Sequence, residues 1–243
     1  MKISVVLAVY SETDLLLETV RGVRRQLASW PYEILIVVHP NSSPECFTVC
    51  ADLAKHADIR VIVQGAQSGI GWAYREAIPC LTGTHALMMS SDLETDPDDA
   101  ALMVRKAEET GADIVCASRW ARGGAFSGYH PLKLVLNYGY NLIFRMLYGT
   151  SIHDLTFGYR LIRTKLLREV NWEFGTHEFC AEMVLKPLRL GYTAVEVPTR
   201  WVKRRQGHSK MTFLRNFRFV SAAVKILRHT TRSDTPQSTR EAA

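Results

Sequence analysis

The sequence predicts an α/β fold: a mainly parallel sheet with flanking helices and an amphipathic helix at the carboxyl end. Three observations lead there. Short apolar runs rich in β-branched residues recur at residues 2–9, Tyr32–Val38, Ile59–Val63, His85–Ser90 and 113–117. Helical patterns separate them, and strands alternating with helices mean βαβ units whose buried strands read as continuous apolar runs. The chain has 243 residues, 47% of them hydrophobic, enough for one large α/β domain.

The elements follow in order. Ser11 reads as the cap of a helix running to residue 29, with Leu16, Val20, Val23 and Leu27 as its apolar stripe. Ser43 caps a second helix after Tyr32–Val38. Gly69-Ile70-Gly71-Trp72-Ala73 follows the third strand and opens a helix over 70–81. Glycines there would let a phosphate or sugar approach the helix amino end. A helix is expected over 98–110, with Asp96 capping it ahead of Pro97.

In the second half, a helix over 132–148 places Leu132, Leu136, Tyr140, Ile143 and Leu147 on one side. Another helix spans 177–190, and a strand over 193–201 is interrupted by Pro198. Residues 211–229 pair an apolar stripe of Phe213, Leu214, Phe217, Val220, Val224 and Leu227 with Arg215, Arg218, Lys225 and Arg228. A core-docked helix is the default reading, and a helix lying in a membrane interface is its rival. The tail over 233–243 is polar and is expected to be disordered.

Composition narrows the setting. Five cysteines are scattered through apolar segments, which favours core packing in a reducing cytosol over a disulfide framework. No leader or spanning segment is read, so the chain is expected to be cytoplasmic, soluble or peripheral at the inner membrane face. Residues 200–243 hold eleven Lys+Arg against two Asp+Glu, leaving nineteen against twenty-two in residues 1–199. The basic carboxyl end favours an anionic partner: phosphate groups or an anionic membrane surface. Nucleic acid is disfavoured, because the basic and aromatic residues there follow helix periodicity and no reader motif is present.

The stretch Ser90-Ser91-Asp92-Leu93-Glu94-Thr95-Asp96-Pro97 is the most informative. An apolar strand delivers carboxylates at its carboxyl end, where open α/β sheets bind ligands. Carboxylates so placed commonly hold a divalent cation that in turn holds a diphosphate.

Further motifs stand in register with this one. They are Tyr10-Ser11-Glu12 after the first strand, Gly69-x-Gly71-x-Ala73-Tyr74, Asp113-Ile114-Val115 with Ala117-Ser118-Arg119, and Gly123-Gly124. Asp154-Leu155-Thr156-x-Gly158-Tyr159-Arg160, Glu182-Met183, Gly191-Tyr192 with Glu196-Val197-Pro198, and Arg204-x-x-Gly207-x-Ser209-Lys210 complete the set. On these residues, over about 1–210, the chain resembles family 2, GT-A fold glycosyltransferases, closest to the dolichyl- and polyprenyl-phosphate sugar synthases. The resemblance makes 1–210 a GT-A domain, followed by the basic helix over 211–232.

The resemblance implies an inverting transfer of a hexose, mannose or glucose, from a GDP- or UDP-sugar to a polyprenyl-phosphate-type lipid. By position, Asp92, Glu94 and Ser90 would hold Mg²⁺ or Mn²⁺. Val9, Tyr10, Glu12, His39, Gly69, Gly71, Asp92, Arg204 and Lys210 would bind the donor. Arg119, Lys133 and Ser209 would take the acceptor phosphate, with Asp92, Asp154 and Arg160 in the catalytic set. A phosphate acceptor needs no strong base, because its second ionisation near ~6 leaves it charged at neutral pH.

Two departures stand out. Ser90 occupies the place of the first metal-side aspartate, and the second strand ends Val38-His39-Pro40-Asn41 where the resembling enzymes carry a pair of aspartates. They keep two rivals open: an enzyme with a soluble sugar or protein hydroxyl as acceptor, using Asp154 as base, and a non-catalytic nucleotide-sugar-binding homologue.

Overall fold

The computed structural model describes residues 1–203 and 216–230. Its elements are β1 (Ile3–Val9), α1 (Asp14–Gln26), β2 (Tyr32–Val38), α2 (Pro44–Leu53), β3 (Ile59–Val63), α3 (Ile70–Ala77), β4 (His85–Ser90) and α4 (Ala100–Thr110). Then come β5 (Ile114–Ser118), β6 (Ala125–Ser127), α5 (Pro131–Tyr148), β7 (Arg160–Arg163), α6 (Thr164–Glu169), α7 (Glu178–Leu190), β8 (Ala194–Pro198), β9 (Arg200–Val202) and α8 (Asn216–His229). The expectations for Arg204, Ser209, Lys210, the start of the basic helix and the 233–243 tail lie outside the described residues.

Seven strands form one sheet in the order β3-β2-β1-β4-β7-β5-β8, and β6 pairs with β9 separately. All neighbours in the large sheet run parallel except β7, which is antiparallel to both β4 and β5. The chain builds outward from β1 to β3, then returns to place β4 on the other side of β1. That reversal is a topological switch point, and it opens a crevice at the carboxyl ends of β1 and β4. One apolar core beneath α1, α2 and α4 and another beneath α3, α5, α6, α7 and α8 cover the two faces. β7 escapes sequence reading because it is four residues long and begins with a buried arginine.

Two expected boundaries shift for stated reasons. α1 begins at Asp14 rather than at Ser11, because the Glu12 carboxylate accepts the backbone N–H groups of Tyr10 at 2.8 Å and Ser11 at 2.9 Å. Those residues form a turn held from within. The expected strand 193–201 divides into β8 and β9, with Thr199 between them passing its N–H to Ser118 and its carbonyl to Ala125.

The apolar stripes of two helices are rotated from their expected positions. In α5 the buried side chains are Asn141 and Phe144, while Leu132, Ile143 and Leu147 are 56%, 42% and 44% exposed. The inner face is polar because its asparagines find partners: Asn141 accepts the Leu155 N–H at 2.7 Å, and Asn137 accepts the Trp120 indole N–H at 2.8 Å.

In α8 the buried residues are Phe219, Ala222, Ala223 and Ile226, a stripe offset from Val220, Val224 and Leu227. This face packs on α7, and the Tyr148 hydroxyl donates to the Ala223 carbonyl at 2.7 Å. Lys225 reaches Glu173 at 2.8 Å and Arg218 reaches Glu178 at 3.8 Å. The described part of α8 is therefore core-docked. For these residues the structure favours the default, core-docked reading over the interfacial rival.

Truncating Ile226 to alanine should cost about 2–4 kcal/mol in urea unfolding, as for a buried core residue; a loss near zero would contradict core docking. A pH effect follows from Asp99, which accepts the Thr199 hydroxyl. Burial pushes its carboxyl up to about 6 from 3.8, with Thr199 opposing. The raised value means stability present below the unfolded value and lost as pH rises through about 6. Asp99→Asn should remove that decline, seen as urea midpoints that fall less across this window than those of the unaltered chain.

Candidate active site

The switch-point crevice brings together Val9, Tyr10, His39, Ser90 and Asp92. Val9 and Val38 end paired strands, and Ser90 lies opposite Ala8 in the register of β1 and β4. The Ser91 hydroxyl donates to the Ala8 carbonyl at 2.9 Å, which fixes the turn that follows β4 against β1. Tyr10 and His39 meet ring to ring at 4.9 Å. His39 is held on both sides: its Nδ1 accepts the Asn41 N–H at 3.1 Å, and its Nε2 is 2.9 Å from the Ser68 hydroxyl. At the place of the expected aspartates, strand β2 thus ends in an imidazole fixed in orientation.

Asp92 is buried, and its Oδ1 accepts the Glu94 N–H at 3.1 Å across Leu93, whose φ is 61°. A left-handed leucine is uncommon, and here it folds the acidic turn back toward the end of β4. Ser90 takes part in that turn: its hydroxyl is 2.9 Å from Thr95 Oγ1, and its carbonyl accepts the same hydroxyl. Of the expected metal set, Ser90 is hydrogen-bonded to Thr95, and Asp92 and Glu94 are joined through the Glu94 N–H. Among the described residues no cluster of three His, Cys, Asp or Glu side chains forms a cation cage. The turn carries two carboxylates of the expected set, Asp92 and Glu94. That suits a cation held by one or two carboxylates together with substrate phosphates, the usual mode for Mg²⁺. Asp96 caps the next turn as expected, accepting the Asp98 N–H at 2.9 Å.

Gly69 and Gly71 are required for a different reason from the one expected. Gly69 has φ 131°, and a Cβ there would lie 2.5 Å from the Gly175 carbonyl oxygen. A Cβ on Gly71 would lie 2.6 Å from the Gly175 carbonyl carbon. The close approach at the amino end of α3 is thus made by the backbone at 175–176, and the Trp72 N–H donates to the Gly175 carbonyl at 3.0 Å. Glu12, likewise expected at the donor, spends its carboxylate on the Tyr10–Ser11 turn.

Beyond β5 lies the strongest electrostatic feature. Arg119 and Asp154 form a bidentate ion pair, Nε to Oδ2 at 2.7 Å and Nη2 to Oδ1 at 3.0 Å, with the Arg119 N–H also on Oδ2. Asp154 is fully buried and Arg119 is 7% exposed. Burial alone would raise the Asp154 carboxyl, but the Arg119 charge and its hydrogen bonds outweigh this and hold it below the usual carboxylate range. Arg119 lies over the Phe157 ring at 4.4 Å and the Phe126 ring at 5.2 Å. Nε and Nη2 are directed to Asp154, and Tyr129 and the Glu94 carboxylate also stand within reach of the guanidinium.

Arg160 was expected in the catalytic set, yet it is fully buried inside the sheet between Met88 and Cys116. Its Nη2 donates to the Leu155 carbonyl at 3.0 Å, and its charge helps keep Asp154 ionised. It is a positioning cation behind Asp154, not a group that meets a substrate. Lys133 sits half-buried in the first turn of α5 and forms no hydrogen bond or ion pair among the described residues.

Several residues of the site were not read from the sequence. Thr156 Oγ1 receives hydrogen bonds from Arg119 at 3.2 Å and Asn137 at 3.0 Å, and itself donates to Asp154 at 3.3 Å. The rings of Tyr138, Trp120, Phe126, Tyr129 and Trp201 form an edge-to-face chain with centroid spacings of 4.7 to 5.2 Å. The signal was present: asparagines four apart in an otherwise apolar helix, and a run of aromatics just after Arg119. A wider concavity of about 690 Å³ lies apart from these groups, lined by Arg75, Arg168 and Trp172.

Comparison with known proteins agrees with the fold. The polyprenol monophosphomannose synthase of Mycolicibacterium smegmatis is 28% identical over 189 residues, 74% of this chain and 71% of that one. The undecaprenyl-phosphate mannosyltransferase of Micrococcus luteus is 26% identical over 220 residues, 87% of this chain and 88% of that one. Among solved structures, glucosyl-3-phosphoglycerate synthase from Mycobacterium tuberculosis, in complex with Mn²⁺, UDP and phosphoglyceric acid, superimposes with a TM-score of 0.68 at 16% identity. That match covers 98% of this chain and 80% of the other, a likeness of fold. The model of glycosyl transferase family 2 matches residues 4–170, and with the switch-point crevice and its positioned Asp92 this makes the chain a GT-A-fold glycosyltransferase of that family.

Proposed function

We propose that the chain transfers a hexose, with inversion, from a nucleotide diphosphate sugar to a polyprenyl-phosphate-type lipid at a membrane surface. The observation that carries this reading is the buried Arg119–Asp154 pair. A hydroxyl acceptor needs a base at the reacting oxygen, whereas a phosphate acceptor arrives already ionised. Asp154 is buried, bidentate to Arg119 and held below the usual carboxylate range, so it is poorly suited to take a proton. The rival that uses Asp154 as base for a soluble hydroxyl is weakened by the same geometry.

The roles follow. The crevice at Val9, Tyr10, His39 and Asp92 receives the nucleotide end of the donor. Asp92 and Glu94 are the carboxylates suited to hold Mg²⁺ or Mn²⁺ with the donor phosphates, and such a cation neutralises charge on the leaving nucleotide diphosphate. Arg119 orients the acceptor phosphate, with Asp154 and Thr156 fixing the guanidinium plane. Lys133 and the segment bearing Arg204, Ser209 and Lys210 supply further cations. The outward leucines of α5 suit an acyl boundary. No helix among the described residues is long and apolar enough to cross a membrane, so contact would be at the surface. The names of the two mannosyl relatives support the lipid acceptor, and the Mn²⁺ and UDP bound by the solved neighbour support the metal and donor class.

Purified protein given Mg²⁺ or Mn²⁺, GDP- and UDP-hexoses and a polyprenyl phosphate should form lipid-linked sugar. No product with any donor, or turnover on soluble hydroxyls alone, would sink the reading. Asp92→Ala should lower kcat by about 10²–10³, the scale of one preorganised electrostatic group, while Ser90→Ala should cost less than about tenfold. Asp154→Asn leaves the Arg119 charge buried without a partner, which should cost about 3–5 kcal/mol of stability. A variant that unfolds at the same urea concentration as the parent would show that the pair is not structural.

A further inference from the structure

Outside the crevice, α5 closes a second cavity of about 240 Å³, lined by Trp120, Tyr138, Asn141, Leu142, Arg145 and His153. This is smaller than the roughly 300–1,000 Å³ that holds drug-sized ligands, so it suits a headgroup rather than a nucleotide sugar. Arg145 is its distinctive wall. Its Nε is buried with no hydrogen-bond partner, and among the described residues no carboxylate pairs with it. Arg160, Arg163 and Arg189 also hold a buried guanidinium nitrogen without a hydrogen bond, but of these four arginines Arg145 is the one that lines this cavity. A buried guanidinium N–H without an acceptor costs free energy that a bound anion would recover.

The rest of the lining agrees with an anion. His153 engages Glu196 through Nδ1 and passes its backbone N–H to the same carboxylate at 2.8 Å. The nearby negative charge is thereby turned to its own partner. Asn141 is occupied by Leu155 and Asn137, so the cavity adjoins the Arg119–Asp154 network through Trp120 and Asn141 while Arg145 takes no part in that network. The exposed rim is apolar and aromatic: Tyr138 is 52%, Leu142 41% and Met146 68% exposed. Tryptophan and tyrosine beside an arginine, next to outward leucines, match the chemistry of the lipid headgroup level.

We propose that this cavity binds the phosphate of an anionic glycerolipid headgroup, with Arg145 as donor, Trp120 and Tyr138 along the glycerol, and the outer face of α5 in the acyl boundary. The source of the phosphate rests on the membrane-surface reading above; a soluble phosphate monoester would meet the same guanidinium.

The test compares the unaltered chain, Arg145→Gln and Arg21→Gln. Arg21 lies on α1, across the sheet, and controls for loss of one charge. Each protein is floated with phosphatidylcholine vesicles and with vesicles of equal parts phosphatidylcholine and phosphatidylglycerol. Arg145→Gln should bind the mixed vesicles about five-fold more weakly than the parent. Arg21→Gln should match the parent, and the pure phosphatidylcholine vesicles should not tell the three apart.

Equal binding of Arg145→Gln and parent to the mixed vesicles would overturn the lipid site. Equal losses in both variants would overturn it too, marking general charge attraction. In a second arm, glycerol 3-phosphate is added and thermal unfolding is followed. Stabilisation of the parent but not of Arg145→Gln, with unchanged vesicle binding, would reassign the cavity to a soluble phosphate and reject the lipid. Sugar transfer to a detergent-dispersed acceptor is measured separately, so failure of this site is distinguishable from failure of the proposed reaction.

Discussion

The Arg119–Asp154 pair is the constraint on which the region between β5 and α5 depends. Taking both charges out of water is unfavourable, and only the bidentate geometry with added hydrogen bonds offsets it. Every nearby element contributes to that geometry. β5 ends at Ser118 and delivers Arg119, Leu155 sits between Asn141 and Arg160, and Thr156 joins the pair to Asn137. This explains why α5 turns asparagines inward and leucines outward. Its register is set by the need to satisfy a buried polar network, and its apolar face is what remains.

The crevice at β1 and β4 is governed by topology instead. The reversal from β3 back to β4 leaves the carboxyl ends of β1 and β4 uncovered, and the acidic turn occupies that gap. The amino end of α3 is packed by the backbone at 175–176. That loop is itself tied down. The buried Glu182 carboxylate accepts the N–H groups of Glu173 and Phe174, and Glu173 binds both Lys186 and Lys225. The two lysines hold the Glu173 carboxyl down at about 2. Helix α8 is thus joined through one glutamate to the loop that abuts the amino end of α3.

The parallel strands were legible because burial on both faces leaves them as plain apolar runs; Tyr32–Val38, Ile59–Val63 and His85–Ser90 have the expected bounds. Ser43 and Asp96 were legible as caps because their chemistry is local. β7 was not, since a four-residue strand opening with arginine depends on Asp154 and on its neighbours for its burial. The stripe of α5 was misread because periodicity counts apolar residues without knowing which polar ones find partners; in α8 the buried face is also apolar, but lies one residue round, on Phe219, Ala222, Ala223 and Ile226. Nor were the hydrogen bonds of Glu12 and Ser90 legible: each belongs to a turn that only the folded backbone defines. That Asp154 lies buried against Arg119 was not legible, because the pairing joins residues 35 positions apart.

The inverted face of α5 bears on temperature. Burial of apolar surface is what gives folding its heat-capacity change and weakens on cooling. α5 is attached largely through amide and hydroxyl contacts around Phe144, whereas α8 is attached through Phe219, Ala222, Ala223 and Ile226. Detaching α5 would therefore change the heat capacity little, and detaching α8 would change it more. In the cold, it is the grip of the carboxyl-terminal helix that declines, while the helix bearing the outward leucines keeps its place.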